Sequence, residues 1–437
     1  MIIYLTLVLI CLGFGLFSIS RLIHDRFPHP ADVATVSLIY YALPLSVAGY
    51  FYLNYGGYVF LNTMAGDQGL AFQSAVYLTV ALLSLSAGRV AASMSGQPAS
   101  LAFVPLTLAT ERRVQGAYVV LIGLIALGVV MFGVVDFLAG YAEESRLTTA
   151  AVGNALVYWS VEGLGFLLMM TLLLSKQRWN ASLRLSVIVS LIVLAIVFLV
   201  RAKRLEIVVA LLPVALIIFS RRSSITSSTY RVIGIGVAVA ALVLLASARV
   251  STTLDPFYTI FYVFSEGLYA GHTLPGVEAR VAGGGLGYEY GIRYINGVIG
   301  FIPSFLWEGK EDMIYAGNLQ LQELAPLGAT SFLAEVVLQG GLYAVVATYS
   351  IMGFISHRLT YFQASWDSAV KAGFMPFRFG IYAIMISVFI PHFRDGIIPA
   401  MKLSLQALVF YLALTGINLV VRSRASAIDA NRVRLPG

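Results

Sequence analysis

Three short stretches of this 437-residue chain carry side chains whose types and spacing suit chemistry on an anion. Arg201-Ala202-Lys203-Arg204-Leu205-Glu206 places Arg201, Lys203 and Arg204 within a single turn. Ser331 to Gly341, the run SFLAEVVLQGG, holds Glu335 inside an apolar surround. Pro391-His392-Phe393-Arg394-Asp395-Gly396 sets an imidazole two residues from a guanidinium, with Lys402 close behind. Guanidinium groups bind phosphate through a rigid two-pronged donor geometry. A carboxylate or an imidazole can take the proton from an attacking hydroxyl, so Glu335 and His392 are candidate bases, Glu335 the first of them. Arg249, Arg280 and Arg293 add isolated cations between residues 249 and 329, interleaved with aromatics that include Tyr290 and Trp307. Aromatic faces beside polar groups suit sugars, which are apolar on one face and hydroxylated at their edges. The inventory describes a site for a glycan attached to a pyrophosphate.

The elements that must position these groups follow from composition. Hydrophobic residues make up 59% of the chain and charged residues only 11%, far from the roughly 45–50% and 25% of a soluble domain. Apolar runs of about 17–25 residues, the length that crosses a bilayer, fall near 2–20, 33–53, 70–90, 115–135, 154–174, 185–200, 205–220, 231–248, 330–355, 374–390 and 399–421. The expectation is an all-α, polytopic integral membrane protein with about eleven transmembrane helices. Residues 1–248 form about eight of them, residues 249–329 one long extracytoplasmic loop, and residues 330–437 about three more helices with a cytoplasmic tail. The long polar stretch is rich in aromatics, unlike a disordered linker, and its length marks it as a folded functional element. Ile2 to Ile19 lacks a basic leading region and a small-residue cleavage site, so it reads as a retained helix.

Basic residues set the orientation, because lysine and arginine concentrate in cytoplasmic loops. With the N-terminus outside, most of the 28 basic residues fall in the cytoplasm, including Arg21, Arg89, Arg112, Arg221, Arg358 and Arg422. The stretch 249–329 then faces outward. So do Arg201, Lys203, Arg204 and Arg394, against the usual bias. One such residue is explained by a side chain reaching back to lipid headgroups; three in one turn favour an anion site. Glu162 and Glu335 lie within apolar runs, where an ionisable side chain is either functional or part of an ion pair with an arginine. Several of the aromatics belong to an ordinary interfacial belt.

Other classes are excluded. The net charge of +7 is scattered between apolar runs instead of lining one face, which argues against nucleic acid. Gly283–Gly287 follows no strand and opens no βα unit, and Gly309-Lys310 lacks phosphate-loop spacing, so no nucleotide fingerprint is present. The glycines mark a bend or a close backbone approach. The single cysteine, Cys11, allows no disulfide framework, and no His/Cys/Asp cluster has metal-ligand spacing. No metal or cofactor is expected.

The basic turn RAKRLE between two spans, the long outer stretch reaching IPSFLWEGK, then SFLAEVVLQGG and a last outer turn HFRDG resemble the Wzy-type polymerases of bacterial surface polysaccharides. The likeness covers nearly the whole chain in layout, through short motifs. It implies a metal-independent, inverting membrane glycosyltransferase of the GT-C kind in the bacterial inner membrane. Such an enzyme joins oligosaccharide repeat units carried on undecaprenyl pyrophosphate. The resemblance implies roles for Arg201, Arg204, Glu335 and Arg394, and partners among membrane lipids, a chain-length regulator and a flippase. The neighbouring expectation is an O-antigen-ligase-like enzyme using the same donor. A lipid-linked-glycan flippase or secondary transporter would instead show repeated helix bundles, and no internal repeat is visible.

The orientation is testable. A cysteine at Gly284 in a Cys11→Ser background should react with a membrane-impermeant maleimide in intact cells. Labelling that required lysis would reverse the assignment.

Overall fold

Helix α1 (Ile2–His24) is apolar over most of its length, carries Arg21 and His24 in its last turn, and ends where Asp25 turns extended. Pro30 then opens α2 (Pro30–Tyr50), and the His29 ring caps it by accepting the Ala31 N–H at 3.2 Å. Proline suits the first helical position because its missing N–H would find no partner there. The computed structural model describes residues 1–51, 68–96, 100–133, 148–174, 181–201, 204–220, 270–302, 309–315, 330–415 and 420–423, with 267–268, 306–307, 321 and 324. The chain divides into two compact units. One comprises Met1–Gly96, Arg222–Arg358 and His392–Leu403; the other comprises Gln97–Arg221, Leu359–Pro391 and Ser404–Gly437.

In the first unit, α1, α2 and α3 (Gln68–Met94) pack together. Few polar groups lie between them, and several of these pair. Tyr4 Oη meets Ser46 Oγ at 3.1 Å, and Ser46 Oγ donates to the Ala71 carbonyl at 2.8 Å. At the other end of these helices, buried Asp32 faces Arg21 at 3.5 Å and Arg89 at 3.3 Å. Helix α3 also crosses α12 (Gly341–Leu359) at two glycines. A methyl group on Gly88 would overlap the Ser350 carbonyl, and one on Gly353 would overlap that of Leu85. Where lipid removes the hydrophobic drive between helices, such close backbone approach is the main source of packing energy.

Part of the stretch expected as an outer loop is helical and buried. Gly267 and Gly271 lie over the Tyr40 and Tyr41 carbonyls of α2, too close to admit a side chain. After a turn at His272, α8 (Thr273–Ala282) runs on with Thr273 through Glu278 buried, packed on α3 and on α11 (Phe332–Leu338). The glycine cluster is its end. Gly284 has φ +72°, and the N–H groups of Gly285 and Leu286 return to the Arg280 carbonyl at 2.8 and 3.1 Å. Of the two roles open to these glycines, the structure gives them the bend. Helices α9 (Ile292–Ile299) and α10 (Lys310–Tyr315) follow.

In the second unit, α4 (Leu108–Phe132), α5 (Thr148–Leu174), α6 (Ala181–Arg201) and α7 (Arg204–Ser220) pack side by side. Tyr118 of α4 hydrogen-bonds Thr171 of α5 at 2.9 Å, and Gly165 brings α5 onto the backbone of α7 at Ala210. Beside them lies a three-stranded antiparallel sheet, a departure from the all-α expectation. Strand β1 (Ser100–Pro105) is central, flanked by β2 (Phe374–Pro376) and β3 (Val420–Ser423), with Phe103 opposite Pro376 and Leu101 opposite Arg422. A 3-10 turn (Thr360–Ser365), α13 (Trp366–Lys371), α14 (Phe377–Ile384) and a π-helical turn (Met385–Phe389) complete this unit, with a ring cluster of Phe362, Trp366, Phe379 and Tyr382 at its centre. Helix α15 (Ile397–Thr415) begins in the first unit and ends in the second.

Among the described residues, five helices are long and apolar enough to cross a membrane: α1, α2, α3, most of α4, and α15. The chain is thus a mostly helical protein of membrane-embedded character. The expected run 330–355 is two helices, broken at Gln339-Gly340-Gly341, where Gly340 has φ +158° and Gly341 +59°. The run 374–390 starts as a strand, and the run 399–421 ends at Thr415 before β3. The run 231–248 lies outside the described residues.

Gly353→Ala should lower the unfolding temperature of the detergent-solubilised protein, by the roughly 1–3 kcal/mol typical of an overpacked contact. Gly116→Ala, where the added methyl meets nothing, should be neutral or raise it by up to about 1 kcal/mol of helix propensity. Equal effects at the two sites would remove the close crossing as a source of stability.

Candidate functional site

The polar centre of the first unit forms where α9, α11 and the turn before α15 converge. The sequence Glu289-Tyr290-Gly291-Ile292-Arg293 turns at Tyr290 (φ 46°) and Gly291 (φ 94°) into α9. Its i,i+4 pair closes an ion pair, Arg293 Nε lying 2.7 Å from Glu289 Oε2 and Nη2 donating to Oε1 at 3.0 Å. The same guanidinium reaches across to α11, Nη1 to Glu335 Oε1 at 3.4 Å. Both side chains of this second pair are almost wholly buried, 3% and 2% exposed.

Glu335 is held from other sides as well. Its Oε2 accepts the Ile397 N–H at 2.7 Å, and the Thr330 hydroxyl lies 3.0 Å from both Oε1 and the Asp395 carbonyl, sharing its one proton. Gly396 (φ +95°) passes directly over the carboxylate, where any side chain would collide with it. One carboxylate thereby joins α9, the start of α11 and the first residues of α15. Gln339, one turn on, binds the other end of the cluster. Its Oε1 accepts the N–H groups of Gly291 and Arg293 at 3.0 and 3.3 Å, and its Nε2 donates to Glu289 at 2.8 Å. The first N–H groups of a helix lack intrahelical partners; here a glutamine from another helix supplies one, since Gly291 has no side chain to do so.

The arrangement brings Arg293, Glu335 and the His392–Arg394 turn into one unit and seals most of it. His392 is buried and Arg394 half-buried, on a 3-10 turn closed by the Asp395 N–H on the His392 carbonyl at 2.9 Å. Phe393 stacks on Phe332 of α11 with ring centroids 4.5 Å apart.

The chain matches no known protein family, no curated protein and no solved structure. The site therefore stands on its own geometry.

That geometry bears on two of the expected site residues. Arg293 lies within ion-pair distance of two carboxylates, Glu289 and Glu335. Glu335 is buried with both oxygens engaged. Arg280 is half-buried in the last turn of α8, while Tyr290 (81% exposed) and Trp307 (40%) project from the surface. Lys310 is buried, with its Nζ donating to the carbonyls of Gly300 and Ile302. Arg201 ends α6 and Arg204 starts α7, both in the second unit; their side chains, with Lys203 and Arg249, lie outside the described residues. Buried Glu162, on α5, also belongs to that unit. Sequence reasoning passed over Glu289, Thr330, Gln339 and Gly396. The i,i+4 spacing of Glu289 and Arg293 was the available signal.

Removing one partner of a buried pair strands the other charge, at a cost of about 3–5 kcal/mol. Arg293→Met should therefore destabilise strongly, leaving Glu335 with no cation. Glu335→Gln should cost less, because Glu289 still neutralises Arg293. The double variant should recover part of the Arg293→Met loss in thermal unfolding. Strict additivity would show that the pair is not coupled.

Proposed function

We propose that this protein is a membrane glycosyltransferase of the Wzy-type kind, acting at the outer face of a bacterial inner membrane. It would extend a surface polysaccharide by transferring a growing glycan from undecaprenyl pyrophosphate onto a new lipid-linked repeat unit. One observation carries the reading. The two stretches that resemble this family in sequence, Ser331–Gly341 and His392–Gly396, lie far apart in the chain but meet through Glu335, Thr330 and the Phe332–Phe393 stack. The orientation with residues 249–329 outside, and about eleven spans, belong to the same proposal.

In the reaction an acceptor hydroxyl oxygen bonds to the anomeric carbon, the carbon–oxygen bond to phosphate breaks, and the pyrophosphate leaves with the electron pair. Fixed cations directed at that developing charge are the expected source of acceleration. Arg394 is assigned that task here, on the turn next to the residues that Glu335 and Thr330 bind; the resemblance of the RAKRLE turn implies a role for Arg201 and Arg204. The hydroxyl proton needs an acceptor. With Glu335 committed to Arg293, Thr330 and Ile397, His392 on the Arg394 turn takes first place, once the turn opens to admit substrate. Tyr290 and Trp307 offer exposed ring faces to the sugars.

Purified protein incubated with a lipid-linked repeat unit should yield a ladder of longer products. Arg394→Ala should slow it by about 10²–10³, the scale for one lost electrostatic donor in a preorganised site. Lysine should restore it only in part, keeping charge without the two-pronged donor. Full activity of Arg394→Ala at normal membrane levels would defeat the assignment, and absence of any ladder from the wild type would defeat the proposed reaction.

A further inference from the structure

Away from the cluster around Glu335, the first unit joins the start of α2 to the last turn of α12 through two histidine rings. His29 Nε2 lies 3.4 Å from His357 Nδ1, and the rings stack with centroids 5.7 Å apart. A further contact fixes where the protons sit. His29 Nδ1 accepts the Ala31 N–H at 3.2 Å, so that nitrogen carries no hydrogen. The ring must then hold its proton on Nε2, which donates to His357, and His357 Nδ1 is left as the acceptor. Both rings are neutral while the contact stands.

An added proton breaks this arrangement wherever it lands. On His357 it would occupy Nδ1 and set two N–H groups against each other; on His29 it would oppose the Ala31 N–H. The charges facing the pair are cations: Arg21 of α1, Arg89 of α3 and Arg358 beside His357. The nearby acids are engaged by two of them, Asp25 by Arg21 and Asp32 by Arg21 and Arg89. Burial, with Arg89 and Arg21, holds His29 far below the ordinary imidazole value. His29 is 5% exposed while His357 is half-buried, so His357 is the ring that protons reach. Histidine is the side chain whose charge changes most readily near neutral pH.

We propose that His29 and His357 form a proton-operated latch. Neutral, it ties the end of α12 to the start of α2; one proton on His357 releases that end, while the crossing of α3 and α12 at Gly88 and Gly353 stays in place. The inference is independent of the reaction proposed above. Its contribution to stability is complete above the ordinary imidazole value, about pH 6.5, and is lost as the pH falls below it. Thermal unfolding of the full-length protein in detergent would be compared at about pH 7.5 and about pH 5.5, either side of that value. Asparagine offers an amide oxygen as acceptor and takes no proton. His357→Asn should therefore match the wild type at the higher pH and unfold above it at the lower. His357→Ala, with no acceptor, should unfold early at both, and the wild type should approach it in acid. Parallel losses in wild type and His357→Asn, or a His357→Asn no more stable than His357→Ala, would overturn the proposal. Should the variants fail to fold, imidazole ¹⁵N shifts of the wild type decide. His29 in its Nε2–H form at the higher pH, with both rings changing together in acid, supports the latch; two independent titrations overturn it.

Discussion

The buried contact between Arg293 and Glu335 is the constraint on which the organisation of the first unit turns. Taking two charges out of water is expensive, and attraction between them repays the cost only when remaining donors and acceptors are also satisfied. Here they are. The carboxylate receives a guanidinium, a hydroxyl and the Ile397 N–H, and the guanidinium is shared with Glu289, which Gln339 also binds. The interaction is therefore specific to one arrangement of three segments distant in sequence. A slip of α11 by a residue would break several of these contacts together, whereas an apolar core of the same volume would tolerate the shift. Gly396 shows how tightly the arrangement is drawn, since the space a side chain would need is filled by the Glu335 carboxylate.

Around this polar point the remaining cohesion comes from close contact of helix backbones. Gly88 and Gly353 join α3 to α12, Gly165 joins α5 to α7, and Gly267 and Gly271 seat the chain before α8 on α2. In an aqueous core large apolar side chains would supply the same cohesion. Against lipid they gain little, because the surroundings are as apolar as they are. Small residues at crossings are then the efficient solution, and they also explain how His272, Thr273 and Glu278 can lie buried among apolar helices.

The long apolar helices were legible because length and hydropathy act locally: α1 to α7 each overlap a run read from the sequence, although α4 and α5 begin well before theirs. What stayed hidden depends on contacts between distant residues. Gln339-Gly340-Gly341 sits inside an apolar run, so hydropathy alone carries it straight through the break. Strand β3 continues the apolar run of α15 and becomes a strand only because β1 stands beside it. The candidate residues fared the same way. Glu335 and Arg293 were each singled out by type, but their separation along the chain concealed that each is the other's partner. The buried helix α8 had one local signal, the small residues at Gly267 and Gly271, set within a stretch otherwise read as an outer loop.

Helix α9 shows the solvent this architecture answers to. It buries Arg293 and Gly297 and exposes Ile292, Ile295 and Val298 along one face. A helix on a water-soluble domain does the reverse, turning its apolar stripe inward and its charges outward. The inverted pattern is favourable where the medium outside is itself apolar, as it is for a helix lying at a membrane boundary. Leu306, Trp307 and Met313 are exposed in the residues that follow, and Tyr343 at the start of α12 is 90% exposed. Their number would be a liability in water. Inward charge and outward hydrocarbon are thus two expressions of one condition. The arginine is buried because a carboxylate from another helix awaits it there, and the isoleucines are exposed because lipid costs them nothing.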